Sequence, residues 1–308
     1  MPVTPINLAV TNITPTSARF GWTTPLRALI SALFGAGEQG AFYIPKPVVN
    51  GAQALFQDAA GTVPVTADGD PDGSMSDQSP NGHTAVQTIS SRRPTYNTSP
   101  DRLLLDKVDD ALIITVPTGG WNGTMVLATD EGTVSYGVDI PAGDYNLGGK
   151  YFPGNAIVGV VFRDGALSAG EKADVEAYFT GNGAMASYGT VVDFTYFWRD
   201  RSEITEFPLI DTSSGTDFSY AWRDCSSLTR FPANAFDNIK GGDFTSAFAN
   251  TALDQTSIDG ILVSLVTSGI TAGTFNQSGG SAPSVDTGQP AIDTLRSRGW
   301  TVSVEGGY

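Results

Sequence analysis

The side chains most suited to recognition in this 308-residue chain are Tyr196, Arg199, Tyr220 and Arg223. The tyrosines and the arginines are each 24 positions apart, so any regular stacking of that segment puts like beside like on one face. Tyr and Arg dominate binding hot spots, and aromatic rings stack on sugars, so these four are the expected ligand-binding residues. A second chemical signal is Asp68, Asp70 and Asp72, spaced like the first half of a calcium-binding loop with Gly73 in the turn position. The twelfth position is Ser79 instead of a bidentate Glu, Pro71 interrupts the loop and no helix pair flanks it. A structural Ca²⁺ held by these three residues therefore stands beside a solvated acidic turn as the two readings, and no other cofactor is expected.

Most covalent and metal chemistry is missing from the sequence. One histidine, His83, cannot build a multi-histidine zinc site, and one cysteine, Cys225, cannot form an intramolecular disulfide. Cys225 falls where the repeat needs a small buried side chain, which makes it structural. There is no Gly-x-Ser-x-Gly elbow. Gly143 to Lys150 imitates a phosphate-binding loop but is one residue too long, and Tyr151 stands where Ser or Thr must hold Mg²⁺. Acidic pairs such as Asp109–Asp110, Asp130–Glu131 and Glu203–Glu206 lack a glycosidase setting, so the chain is expected not to be an enzyme. A net charge of −15 opposes nucleic acid and anionic membrane surfaces. The first residues lack a basic, then apolar, leader pattern, and no apolar run is long enough to span a bilayer, which leads to an expectation of cytoplasmic synthesis without membrane insertion.

The elements that must position these residues follow from periodicity. Two short strands are expected over residues 6–22, then a helix over 25–34 with Thr24 as cap and Leu26, Leu29, Ile30, Leu33 and Phe34 on one face. Short strands separated by Gly, Pro and Asp turns follow. Clearer ones lie at 111–116, 123–128, 134–138 and 157–162, the pattern of an antiparallel sandwich. Ser168 and Glu171 form a capping box for a helix that buries Val175, Tyr178 and Phe179. Asp193 to Pro208 then realigns with Asp217 to Pro232, and a degenerate third copy begins at Asp243. Two helices, one starting near Ser257 and one around Pro290, and a strand over 300–304 read as a terminal cap.

Several stretches resemble known families. Asn12-Ile13-Thr14, Thr16-Ser17-Ala18 and Trp22 resemble the opening of a fibronectin type III module. Gly35 to Tyr43, Leu55 to Asp58, Thr66 to Pro71, Asp77 to His83, Val108 to Leu112 and Phe162 to Glu171 resemble a concanavalin A-like (laminin G-like) domain of tailed-phage virion proteins. Ala221 to Pro232 is similar to a BspA-like leucine-rich repeat, and the ending Arg298-Gly299-Trp300-Thr301-Val302 with Gly306-Gly307-Tyr308 resembles repeat proteins of marine phages. These likenesses imply a mainly β chain, a jelly-roll-like sandwich followed by a short α/β solenoid with a helical cap. Residues 1–34 would dock or oligomerise, 35–180 form the sandwich and 181–308 the repeat domain. The implied role is a structural component of a tailed bacteriophage virion, an accessory fibre or tail-tip protein that contacts host glycan or protein, with capsid decoration or head fibre as the alternative. A glycan-binding adhesin or hydrolase stands behind both. Other virion proteins are the expected partners, and the virion, assembled in the host cytoplasm, the expected location. A homo-oligomer, as a homotrimer, is expected because the incomplete fibronectin-like start and the apolar face of helix 25–34 would otherwise be left exposed.

Overall fold

The computed structural model describes residues 26–185 and 187–308, so the strand pair expected over 6–22 lies outside the described residues. Along the chain come helix α1 (Leu26–Phe34), strand β1 (Gly40–Tyr43), a small hairpin of β2 (Val48–Val49) and β3 (Ala52–Gln53), and short strands β4 (Leu55–Phe56), β5 (Ser74–Met75) and β6 (Ala85–Val86). Hairpin β7 (Thr95–Thr98) and β8 (Asp101–Leu104) precede the long strands β9 (Ala111–Val116), β10 (Trp121–Thr129), β11 (Thr133–Ile140), β12 (Gly143–Gly148) and β13 (Ala156–Asp164). Helix α2 (Ala169–Gly181) then leads to β14 (Ile204–Glu206), β15 (Asp243–Ala249), α3 (Gln255–Ser268), β16 (Thr274–Ser278), α4 (Gly288–Ser297) and β17 (Thr301–Ser303).

The chain is mainly β, and its two large sheets are antiparallel. A seven-stranded sheet runs β14-β11-β10-β13-β8-β7 with β1 also on β13, and a five-stranded sheet runs β12-β9-β6-β5-β4. They face each other as an open sandwich: Phe162 of one sheet and Tyr145 of the other bring their rings to 5.4 Å, within a core that includes Leu112, Ile114, Trp121, Met125 and Leu127. The larger sheet is apolar on its other face too, where Phe42, Val126, Ala128, Val158 and Val161 meet α1 and α2. This double burial explains why 125–128 and 157–162 read as unbroken apolar runs instead of alternating ones.

Helix α2 forms as its sequence signal requires, while the Thr24 cap expected for α1 lies outside the described residues. Ser168 Oγ accepts from the Glu171 amide at 3.3 Å while Glu171 Oε2 accepts from the Ser168 amide at 2.8 Å, completing the box at the head of α2. In α1, Leu29, Leu33 and Phe34 are buried against α2 and the sheet. That covers, within the chain, the apolar face that had argued for a homo-oligomer, and the homotrimer loses this support. Helix α3 starts three residues earlier than read from sequence: Asp254 caps it by accepting from the Ser257 amide at 2.8 Å, while Ser257 Oγ accepts from the Phe231 amide at 3.0 Å.

In the repeated segment the amides of Phe194, Tyr196, Trp198 and Asp200 donate to the carbonyls of Asp217, Ser219, Ala221 and Arg223. Those of Phe218, Tyr220, Trp222 and Asp224 donate in turn to Asp243, Thr245, Ala247 and Ala249. Like side chains therefore stack: Phe194, Phe218 and Phe244 with centroids 5.0 and 4.7 Å apart, and Trp198, Trp222 and Phe248 at 5.3 and 5.0 Å. The third copy, expected to be degenerate, keeps this register and continues as β15 into a parallel sheet with β16 and β17. Repeats and sandwich share one core, because β14 from the first repeat pairs with β11 and Trp198 Nε1 donates to the Tyr136 hydroxyl.

Candidate ligand-binding site

The backbone of each repeat turns through the left-handed region twice, at Tyr196 and Asp200, at Tyr220 and Asp224, and at Ser246 and Asn250. Asp and Asn tolerate that conformation and tyrosine rarely adopts it. Tyr196 and Tyr220, at φ 63° and 60°, are thus held by the ladder in a conformation that their own type disfavours. Both rings emerge on the same side, with centroids 4.9 Å apart and planes within 15°. The Arg199 guanidinium lies 5.5 Å from the Tyr196 ring and that of Arg223 lies 5.5 Å from the Tyr220 ring. All four residues expected to bind ligand are brought together in the expected rows.

The sandwich adds two residues that the sequence reading missed. Tyr151, just beyond β12, packs its ring 5.7 Å from Tyr196, and the Arg199 guanidinium sits 4.9 Å from the Tyr151 ring. Lys150 Nζ approaches the same ring at 5.3 Å. No local signal joined Gly149-Lys150-Tyr151 to the repeats. The one clue was a basic-aromatic pair, Lys150-Tyr151, at the end of the segment that imitates a phosphate-binding loop. The result is a ledge of three tyrosines and three cations.

Acidic side chains anchor it. Asp224 Oδ2 lies 3.3 Å from Arg223 Nε and 3.9 Å from Arg199 Nε, and Asp224 Oδ1 accepts from Asn250 Nδ2 at 2.6 Å. The Asn250 hydrogen bond, helped by both arginines, holds the Asp224 carboxyl below its usual range, whereas burial pushes Asp200 up against the pull of Arg199. Tyr196 is 37% exposed, yet its ring stands between Tyr151 and Tyr220. The expected stacking of a sugar on this ring therefore finds its faces already occupied. Ring edges, phenol hydroxyls and guanidinium groups remain available, a set suited to acidic and hydroxyl groups of a ligand.

The three aspartates weighed as a calcium site against a solvated turn do not converge. Asp68 is exposed and its Oδ1 accepts from the Thr98 amide at 2.6 Å, while Asp70 Oδ2 accepts from the amides of Thr66 and Ala67 at 2.8 and 2.9 Å. Asp72 is fully buried, and burial pushes its carboxyl up to about 7 against the opposing pull of the nearby Ser74 and Phe56 backbone and of Arg93. Backbone donors use two of these carboxylates to fix turns and burial isolates the third, so they do not fit a Ca²⁺ ion. Among the described residues, carboxylates close enough to share an ion occur at Asp106, Asp109 and Asp110. There Asp106 Oδ1 accepts from the amides of residues 108–110 and Asp109 pairs with Arg92 at 2.9 Å, bonds that account for the turn without an ion.

His83 is held by its backbone, its amide donating to Asp77 Oδ2 and its carbonyl accepting from the Tyr43 hydroxyl, with its ring edge-on to Trp121. Cys225 is fully buried, its Sγ lies 3.0 Å from the Trp198 carbonyl, and burial pushes its thiol up. The Gly143 to Lys150 segment is strand β12 and a turn, with no helix to receive a phosphate. No family model, curated protein or solved structure matches this chain.

Proposed function

We propose that this chain is a structural, non-enzymatic component of a tailed-phage virion, an accessory fibre or tail-tip protein, and that the ledge of Tyr151, Tyr196, Tyr220, Lys150, Arg199 and Arg223 contacts the host surface. The observation that carries the recognition part is the ledge itself: Lys150, Arg199 and Arg223 held over stacked phenols, with Asp200 and Asp224 offsetting only part of their charge, on a chain whose net charge is −15. Such a local reversal of charge favours acidic groups on a glycan or protein while the remaining surface repels anionic envelopes. The virion part is supported by the concanavalin A-like and BspA-like likenesses of the sequence. Under this reading the stacked repeats are a short leucine-rich solenoid closed by α3 and α4, built to present the ledge rigidly.

Gold-labelled antibody raised against the full-length chain is the direct test, applied to purified phage particles whose genome encodes it. Label at the tail tip or fibres is the expected result. Label on the head would move the protein to capsid decoration, and particles without label would remove it from the virion.

A further inference from the structure

Three elements of the sandwich bring a lysine, a carboxamide and a carboxylate together. Lys46 lies between Pro45 and Pro47 just after β1, Asn182 directly follows α2, and Asp101 opens β8. Lys46 Nζ donates to Asn182 Oδ1 at 2.7 Å, although the two are 136 residues apart in the chain. Asp101 Oδ2 stands 4.0 Å from the same nitrogen. Each member is held in place. The prolines on either side narrow the conformations open to Lys46, Asn182 Nδ2 donates to the Tyr178 carbonyl at 2.7 Å, and the Tyr96 hydroxyl donates to Asp101 Oδ1. A Cβ added to Gly183 would come within 2.3 Å of Pro100, so glycine there lets the end of α2 close onto the start of β8.

The distances are not those of a plain ion pair. An ammonium on a carboxylate closes to about 2.8 Å, yet Lys46 keeps its short contact for a neutral carboxamide and leaves the carboxylate at 4.0 Å. A nucleophile, the acyl group it would attack and a base are thereby set side by side, as amide exchange requires. Groups held in this way react as though at very high concentration, which offsets the low reactivity of an amide. The Lys46 and Asp101 side chains are 31% and 32% exposed, so released ammonia has a path to solvent.

We propose that Lys46 and Asn182 join in an isopeptide bond, with Asp101 carrying the proton. Asp101 takes one proton from the Lys46 ammonium, and the freed Nζ lone pair forms a bond to Asn182 Cγ. Asp101 passes that proton to Nδ2, and the Cγ–Nδ2 bond breaks with its electron pair going to the departing ammonia. The excess proton left on Nζ follows, so ammonium leaves in sum and Asp101 ends as it began. No oxidant, reductant or cofactor enters. The bond closes a covalent ring over residues 46–182, and tension between the N-terminal residues and the repeats then bypasses the strands inside it. That use suits a virion component, but the bond itself does not depend on the virion reading.

The test is mass spectrometry of the denatured full-length chain. The parent should be lighter than its sequence by one ammonia, and its tryptic digest should contain a branched peptide joining Lys46 to Asn182. Lys46→Arg keeps the cation without the nucleophile, and it should show its full sequence mass and no branch. Asp101→Asn should retain the circular dichroism of the parent and yield at least about tenfold less branched peptide. Asn182 precedes Gly183, so its side chain can also lose ammonia by closing onto its own backbone. That product would persist in Lys46→Arg and contain no branch. The proposal is overturned if the parent has its full sequence mass, if ammonia is lost without a branch, or if Asp101→Asn forms the branch as readily as the parent. If Asp101→Asn does not fold, the branch in the parent and its absence from Lys46→Arg decide.

Discussion

In the repeats Tyr220 combines a strained backbone with a half-buried ring. Tyr220 holds φ at 60°, so replacing it by alanine would change both the ring and the backbone preference. Asparagine suits that conformation and removes only the ring. Tyr220→Asn with Arg223→Ala should therefore melt like the parent in thermal unfolding while host-cell attachment falls at least about tenfold, the effect of losing one hot-spot pair. Equal attachment by parent and variant would reduce the ledge to plain surface of the repeats. Asp72 offers a second residue-scale prediction. Its folded carboxyl titrates near 7 against 3.8 when unfolded, so the folded state binds more protons between those values and stability falls as pH rises through that window. Asp72→Asn should stabilise the protein at about pH 8 by roughly 1–3 kcal/mol and remove that slope from urea-denaturation curves measured against pH. A difference curve that is flat across the window would show that Asp72 is solvated.

At the scale of elements, the docking of α2 on the larger sheet depends on one missing side chain. A Cβ added to Gly159 in β13 would come within 2.0 Å of the Phe179 ring of α2, and the helix backbone behind that ring is fixed by the capping box and by Val175. Gly159→Ala should destabilise the protein by about 1–3 kcal/mol in urea denaturation, the cost of overpacking a core. A loss below the error of that measurement would mean that Phe179 simply rotates away. Boundaries of such elements were legible where the signal was local. The Ser168 box, the five apolar positions of α1 and the apolar run of β13 each matched their sequence pattern within a residue or two. Strand β12 was not legible, because its glycines at both ends and exposed Asp144 and Asn146 imitate a loop, and only pairing with β9 makes it a strand.

For the whole molecule, the decisive contact is the strand that the repeats lend to the sandwich. β14 covers the edge of β11, and Tyr136, Phe207 and Trp198 pack across the junction, so sandwich and repeats form one continuous core. Thermal unfolding followed by near-ultraviolet circular dichroism and by calorimetry should give one coincident transition, as cooperative units do. Two separated transitions would mean that the junction is weak. A truncation after residue 180 should aggregate, since it bares the β11 edge and the apolar side chains beneath it.

What the sequence determined by itself were the features that depend on neighbours along the chain or on strict repetition: helix caps, apolar faces, the long strands, and the alignment of Tyr196 with Tyr220 and Arg199 with Arg223. Repetition turns into spatial rows through the ladder of backbone hydrogen bonds, so spacing alone foretold which side chains would meet. Only the tertiary structure decided that Asp68, Asp70 and Asp72 part company, that Tyr151 joins the ledge and that Arg201 lies buried beside Glu203 and Tyr145. Each of these outcomes depends on which distant segments pack together, and on whether packing leaves a charge in water, against a backbone donor or sealed in the core.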